Sequence, residues 1–454
     1  MNSTSVTHWF ENLPITTLPV LLTVDVVAAV LVIALLLPTR KGHWWRWIVP
    51  AVVVGAAAGG ATIWYVGDVQ NAFDVSPTWV DRIWTGAAFA AVLVGLVNIV
   101  RAGAVRKILA ILMIVATVLA AGLAINRDVG EFLTPGQLLG LNGFRRILLP
   151  QDRAHTRADG KGAATTSDAF DPTLYRTWKA PAGMPTKGRV GEVAIPGTVS
   201  HFAARDAMVY LPPAALVKDA PALPVVILMS GQPASPSSVI DAGNVPETLN
   251  ALAAKNHGLA PIVVVPDQLG ASEDNPMCVD SPLGNSATYI LTDVTTWIRQ
   301  HLHVAAGRQA WAVGGFSQGA TCSIQFASAH PDVFGSFIDV SGQEYPTLDT
   351  DEQAVAQGFH GSTAAFDAAK PATIMAKHGT YHDLVGVFAV GQFDKKYGAN
   401  TRVMSALAAS HGIAVTRYIS PGSAHDWTTA TNGFARGFEV LYPRFGLSAA
   451  AARP

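Results

Sequence analysis

Two hydrophobic rhythms divide this chain. Up to about residue 125 the apolar positions come in four long runs, roughly 19–38, 47–66, 83–100 and 108–125. As a helix rising about 1.5 Å per residue, each run is long enough to cross a hydrocarbon layer roughly 30 Å thick. Four such runs in series predict transmembrane helices, since burying them in a soluble fold would need a far larger protein around them. From about residue 189 the rhythm shortens. RVGEVAIPG and RDAMVYLPP alternate and predict antiparallel edge strands. PVVILMSG, APIVVVPD, QAWAVGGFS, GSFIDVSG, LVGVFAVG and AVTRYISPG are continuous in Val, Ile and Leu and predict buried strands. Helical stretches such as ATYILTDVTTWIRQHL and RVMSALAASHG lie between them. Strands alternating with helices predict a doubly wound, mainly parallel sheet. The expected organisation is a helical anchor over 1–125, a linker over 126–188 with one short helix, and an α/β domain over 189–448.

Composition sharpens the first half. The chain is 50% hydrophobic and only 14% charged, where a soluble protein carries about a quarter charged residues, so part of it belongs in a lipid bilayer. The formal net charge is −1 without any lysine or arginine block, which excludes nucleic acid as the expected partner. The first interhelical loop holds Arg40, Lys41 and Arg46, and the third holds Arg101, Arg106 and Lys107. The second carries Asp68, Asp74 and Asp81 against Arg82. The positive-inside rule makes the first and third loops cytoplasmic. Both termini, and everything after about residue 126, are then extracytoplasmic, in the plasma membrane's outer space. Trp44, Trp45, Trp47, Trp64, Tyr65, Trp79 and Trp84 gather at the predicted helix ends, as interfacial anchors do. The first sixteen residues lack a basic n-region, so the first run does not read as a cleavable signal. Asp25 lies about a turn inside the first run, close enough to the edge to reach the interface; Gly55 and Gly59 read as a close helix contact.

Chemistry concentrates in the second half. The strand QAWAVGG runs into Gly315-Phe316-Ser317-Gln318-Gly319 and then a helix. This is the G-x-S-x-G elbow in its strand–turn–helix context, with glycines where a tight turn excludes a Cβ. A serine hydroxyl needs a base, and the base an orienting acid. LVGVFAVG ends at Asp394 and AVTRYIS leads to His425, so both fall on the same sheet edge as Ser317. Glu344 is the rival acid, while His330, His378, His382 and His411 fall at unsuitable places. The backbone N–H groups of Gln318 and Gln232, beside Gly231, are the expected oxyanion donors. Cys278 and Cys322, the only cysteines, form either a disulfide tethering one loop to the elbow helix or two buried thiols. Neither a metal nor a cofactor is called for: the cysteines are too few, and His378 and His382 lack an HExxH context.

The strand ending RDAMVYLPP, the blocks LPVVILMSG, GGFSQGA and HPDVFGSFIDVSG, and the closing GSAHDW resemble the esterase D / antigen 85 family of α/β-hydrolases, which includes mycolyltransferases. The resemblance spans roughly 189–445. It implies carboxylic ester hydrolysis or acyl transfer, with the family triad falling on Ser317, Asp394 and His425. Trp427 beside His425 is similar to the HSW of the mycolyltransferases, which carry glutamate where this chain has Asp394 and lack a four-helix anchor. GFSQGA also resembles the elbow of acyl-protein thioesterases. The expectation is a membrane-anchored serine esterase acting on a membrane or cell-envelope lipid ester, with acyl transfer and a non-catalytic envelope-binding module as the alternatives.

Overall fold

The computed structural model describes residues 9–11, 13–38, 44–70, 77–139, 143–147, 149 and 169–449. Arg40, Lys41 and Asp74, used above to orient the loops, and the polar tract at 151–168 lie outside the described residues. Internal contacts divide the chain into two units, 1–143 with 426–428, and 144–425 with 429–454.

The first unit is built on helices α1 (Leu18–Leu36), α2 (Trp45–Trp64, continued by a π-helical turn to Val69), α3 (Trp79–Arg101) and α4 (Ala104–Val129). All four are long and apolar enough to cross a membrane. Small residues decide how α2 and α3 pack. A Cβ on Gly59 would lie 2.8 Å from the Gly86 Cα, and one on Gly55 only 2.5 Å from the Ala90 Cα, so the backbones meet where side chains are missing. Two polar side chains of the unit, Arg106 and Asn98, are matched to backbone. Arg106 donates to the Leu35 carbonyl at 2.7 Å and to Asn98 Oδ1 at 3.0 Å, satisfying one of the carbonyls that the end of α1 leaves open. Asn98 is fully buried and donates to the Val94 carbonyl.

The second unit is an eight-stranded sheet among the described residues. Its strands are β1 (Arg189–Val193), β2 (Ala207–Leu211), β3 (Val225–Met229), β4 (Ile262–Val265), β7 (Trp311–Phe316), β8 (Ser336–Val340), β9 (Val385–Gly391) and β10 (Ala414–Ser420). Strands β5 (Asp280–Ser281) and β6 (Gly284–Asn285) form a separate small hairpin. The order is β1-β2-β4-β3-β7-β8-β9-β10, with β1–β2 and β2–β4 antiparallel and every other pair parallel. Strands β3, β4, β7 and β8 are buried at every position, as their continuous apolar runs predict, and β1 is a partly exposed edge. Two expectations are corrected: RDAMVYLPP forms not an edge but β2, buried at every position between β1 and β4, and AVTRYISPG forms not a buried strand but the largely uncovered edge β10, which has only β9 beside it. Helices α5 (Val245–Lys255), α6 (Gln318–Ala329), α7 (Lys395–Ser410) and α8 (Trp427–Arg444) supply the main crossovers and the closing helix.

Two local departures have physical reasons. Part of the expected linker joins the sheet edge. Glu192 donates to the Arg145 carbonyl and Ile147 donates to the Glu192 carbonyl, at 3.0 and 3.1 Å, occupying backbone groups that an edge strand otherwise leaves unpaired. The helix expected from ATYILTDVTTWIRQHL is interrupted by a π-helical stretch, Tyr289–Val294. It contains Asp293, whose carboxylate accepts from Thr198 Oγ1, Val199 N–H and Ser200 N–H, at 2.9–3.0 Å.

Candidate active site

Every loop of interest leaves the carboxyl edge of the sheet, where open α/β sheets bind ligands. Strand β7 ends at Phe316, and Ser317 takes the turn into α6 with φ 56° and ψ −114°. A non-glycine residue at positive φ stores strain that the surrounding structure must hold. Here the Ser317 N–H donates to the Val340 carbonyl and the Gly319 N–H donates to the Ser230 carbonyl. The flanking glycines are required: a Cβ on Gly315 would run into Gly319, and one on Gly319 into the carbonyl oxygens of Met229 and Ser230.

Ser317, His425 and Asp394 form a continuous hydrogen-bonded chain. Ser317 Oγ lies 2.9 Å from His425 Nε2, and His425 Nδ1 lies 3.0 Å from Asp394 Oδ2. The second Asp394 oxygen caps helix α7 by accepting the Tyr397 N–H at 3.0 Å, so the helix start holds the carboxylate's orientation. The imidazole is enclosed by two rings, Tyr397 with centroid 3.9 Å away and Phe316 at 4.9 Å. The Asp394 side chain is buried and that of His425 is 9% exposed. An imidazolium formed here is therefore largely shielded from solvent, which strengthens its attraction to Asp394.

Gln318 opens helix α6, and the first N–H groups of a helix have no intrahelical acceptor. The loop after β3 passes close by: a Cβ on Gly231 would lie 3.3 Å from the Ser317 Cβ. Gln232 follows, its side-chain amide donating to the Glu273 carbonyl at 2.7 Å. Cys278 and Cys322 are joined as a disulfide with Cα atoms 5.5 Å apart. The bond staples the loop after β4 to the elbow helix, and Gln318 Nε2 to Asn275 Oδ1 (3.1 Å) and Gln325 Nε2 to the Cys278 carbonyl (3.1 Å) reinforce it.

The rival residues are engaged elsewhere. The acid that meets His425 is Asp394, while Glu344 sits in the loop after β8. His411 lies past the end of α7 and contacts the Gly379 carbonyl, His378 stacks on Tyr381, and the His382 carbonyl accepts from Arg308. Sequence reading missed three residues. Phe316 and Tyr397 flank the imidazole, the first from the variable position of the elbow and the second three residues after Asp394. Gln268, buried just past β4, donates to both the Ser230 carbonyl and Gln318 Oε1. Its only sequence signal was its place on the carboxyl edge. Two buried acids nearby are also new. Burial pushes the Asp267 carboxyl up, but the hydrogen bonds and charge of Arg205 outweigh it and hold the group below its usual range. Asp339, on β8, has only the Gly342 N–H to offset burial and is pushed up to about 7.

A sequence model of the family described as "Putative esterase" matches residues 203–435, just over half of the chain. An uncharacterized protein of Corynebacterium glutamicum is 34% identical over 270 residues, covering 57% of this chain and 63% of the relative. The chain thus spans less than two thirds of that relative's length. Among solved structures, a ferulic acid esterase superposes with a TM-score of 0.48 at 16% identity, over 57% of this chain and 99% of its own. An S-formylglutathione hydrolase from Agrobacterium tumefaciens gives 0.48 at 18% identity, over 57% and 97%. On the family match, with the sheet order and the elbow, the chain belongs to the esterase family of α/β-hydrolases, the esterase D / antigen 85 group.

Proposed function

We propose that the protein is a membrane-anchored serine esterase that cleaves carboxylic esters of membrane or cell-envelope lipids on the extracytoplasmic side. The observation that carries this reading is the unbroken Ser317–His425–Asp394 chain, with both hydrogen bonds at 3.0 Å or less, at a strained elbow. His425 Nε2 accepts the Ser317 proton as Oγ attacks the ester carbonyl carbon, and Asp394 holds the ring with Nδ1 protonated. The carbonyl oxygen, now negative, receives the N–H groups of Gln318 and Gln232. As the intermediate collapses, the C–O bond to the alcohol breaks and His425 protonates the leaving oxygen. Water, deprotonated by the same imidazole, then attacks the acyl carbon; the bond to Ser317 Oγ breaks, His425 returns the proton to that oxygen, and the acid is released. The lipid substrate class is supported by the chain's own organisation. Four helices able to cross a membrane precede the hydrolase unit, and a tether to the bilayer raises the effective concentration of a lipid ester. The loop charges support the extracytoplasmic placement.

The test is a mass-spectrometric lipid profile of membranes incubated in ¹⁸O-water with wild type or Ser317→Ala. An ester lost only with wild type, its released acid carrying ¹⁸O, establishes hydrolysis and names the substrate. An acyl group that reappears unlabelled on a sugar or lipid hydroxyl makes the protein a transferase. Unchanged lipids together with no labelling of Ser317 by a fluorophosphonate would overturn both.

A further inference from the structure

Gln268 sits at a junction that the triad chemistry leaves unexplained. It follows Asp267 just beyond β4, and both side chains are inaccessible to solvent. Its amide nitrogen makes two hydrogen bonds, one to the Ser230 carbonyl at 2.7 Å and one to Gln318 Oε1 at 2.9 Å. The first acceptor is backbone of the loop after β3, and the second is the side chain of the residue that follows Ser317. Ser230 immediately precedes Gly231 and Gln232; Gln318 immediately follows Ser317. The two acceptors also decide the amide's orientation, because the flipped rotamer would set its oxygen against two oxygens. Gln268 Oε1 is buried and has no hydrogen-bond partner among the described residues. A buried polar atom left unpaired is unfavourable, and such groups persist where their other half serves a purpose.

The same loop is gripped at its far end. The Arg205 guanidinium donates to Asp267 Oδ1 and Oδ2 at 2.8 and 2.9 Å, and to the Ala234 carbonyl at 3.1 Å. The Arg205 N–H also reaches Asp267 Oδ2, and Asp267 Oδ1 accepts the Leu269 N–H. Residues 230–234 are therefore fixed at their start by Gln268 and the Gly319 N–H, and at their end by Arg205. We propose that Gln268 is the positioning residue of the oxyanion hole. Its one amide nitrogen sets the spacing between the Gln318 N–H and the Gln232 N–H, and Arg205 and Asp267 hold Gln268 in place. The inference rests on the reading of Ser317 as nucleophile and of those two N–H groups as oxyanion donors. Donors aimed in advance at developing charge lower the barrier; donors displaced by about an ångström lose most of that effect. Because the oxyanion exists only after attack, a loosened hole lowers kcat and leaves KM nearly alone.

The experiment uses the full-length protein in detergent micelles, with p-nitrophenyl acetate as substrate and active sites counted by fluorophosphonate titration. Gln268→Met removes the donor and keeps the bulk; Gln268→Glu keeps the shape and presents only acceptors. Each is expected to lower kcat per titrated site by about tenfold or more with KM within about twofold. The inhibition constant of phenylboronic acid, whose tetrahedral adduct with serine resembles the intermediate, should rise by a similar factor. A variant that only reduced the folded fraction would change the titrated site count and neither of these. A titratable variant whose kcat per site and boronate inhibition match wild type overturns the proposal, as does a loss confined to KM. If Ser317→Ala turns over the ester at the wild-type rate in the same assay, the failure lies with the nucleophile assignment instead.

Discussion

The two units are both rich in Val, Leu, Ile and Ala, yet they use those residues in opposite ways. In the hydrolase unit the apolar side chains point inward: every residue of β3, β4, β7 and β8 is buried. In the helical unit no more than a third of the most apolar window of any helix is buried, and Val26, Val30, Val53, Ile111 and Val115 face outward. Outward apolar faces on four long helices are stable only if the surrounding medium is itself apolar. Composition alone cannot distinguish the two uses. Run length does, because about 20 residues match a bilayer and five or six match a strand. Polar groups differ as well. In the bundle Arg106 and Asn98 are tied to backbone carbonyls, whereas the hydrolase unit gathers Ser317, Asp394 and His425 along one sheet edge.

The comparison breaks most sharply at that edge. Ser317→Ala should reduce kcat/KM for p-nitrophenyl acetate by roughly 10⁴ or more while the thermal unfolding profile stays close to wild type. Asp339→Asn tests how the hydrolase unit tolerates a buried acid. Its folded-state pKa is raised to about 7, so the carboxyl's destabilising effect is absent below the unfolded value near 4 and grows as pH rises to about 7. The amide should stabilise the unit by up to about 4 kcal/mol at pH 8 and by little at pH 4.5, read from denaturant unfolding at the two pH values.

Next comes a matched pair. Val53 and Val403 are 60% and 49% exposed, one on the bundle and one on α7. Val53→Lys should weaken membrane insertion by about 3 kcal/mol and appear as carbonate-extractable protein, whereas Val403→Lys should leave stability within about 0.5 kcal/mol. Similar effects at both sites would sink the lipid-facing reading of the bundle. The smallest effect belongs to a surface acid. Asp383 is held below its usual range by hydrogen bonding and charge from Arg444, with Arg308 adding to it. A depressed carboxylate stabilises the fold above its unfolded pKa and loses that contribution as pH falls through the folded value. Because the group is nearly half exposed, solvent screens it, and Asp383→Asn should cost about 0.5–1 kcal/mol at pH 7 and progressively less as pH falls below the ordinary carboxylate range.

Much of the architecture was legible because it is encoded locally. All eight strands of the sheet coincide with runs that could be read by eye, and Gly315, Ser317 and Gly319 announce the elbow, since a tight strand-to-helix turn tolerates few residues. The π-helical stretch at Tyr289–Val294 was not legible; it accompanies the demands of Asp293 on residues 198–200, almost a hundred positions away. Nor was the pairing of Arg145–Ile147 with β1, where an edge's open backbone groups recruited a segment with no strand pattern of its own.

By itself the sequence determined four helices long and apolar enough to cross a membrane, the parallel sheet, and the short roster of serine, acid and histidine candidates, because hydrophobic period and turn chemistry act over a few neighbouring residues. Only the tertiary structure decided which groups meet. It brought His425 to Ser317 across 108 positions and to Asp394 across 31. It also joined Cys278 to Cys322 and turned an unmarked glutamine after β4 toward the Ser230 carbonyl and the Gln318 side chain, on either side of Ser317. Those contacts follow from strand order and register. These are settled by packing the whole sheet at once, and no local pattern can state them.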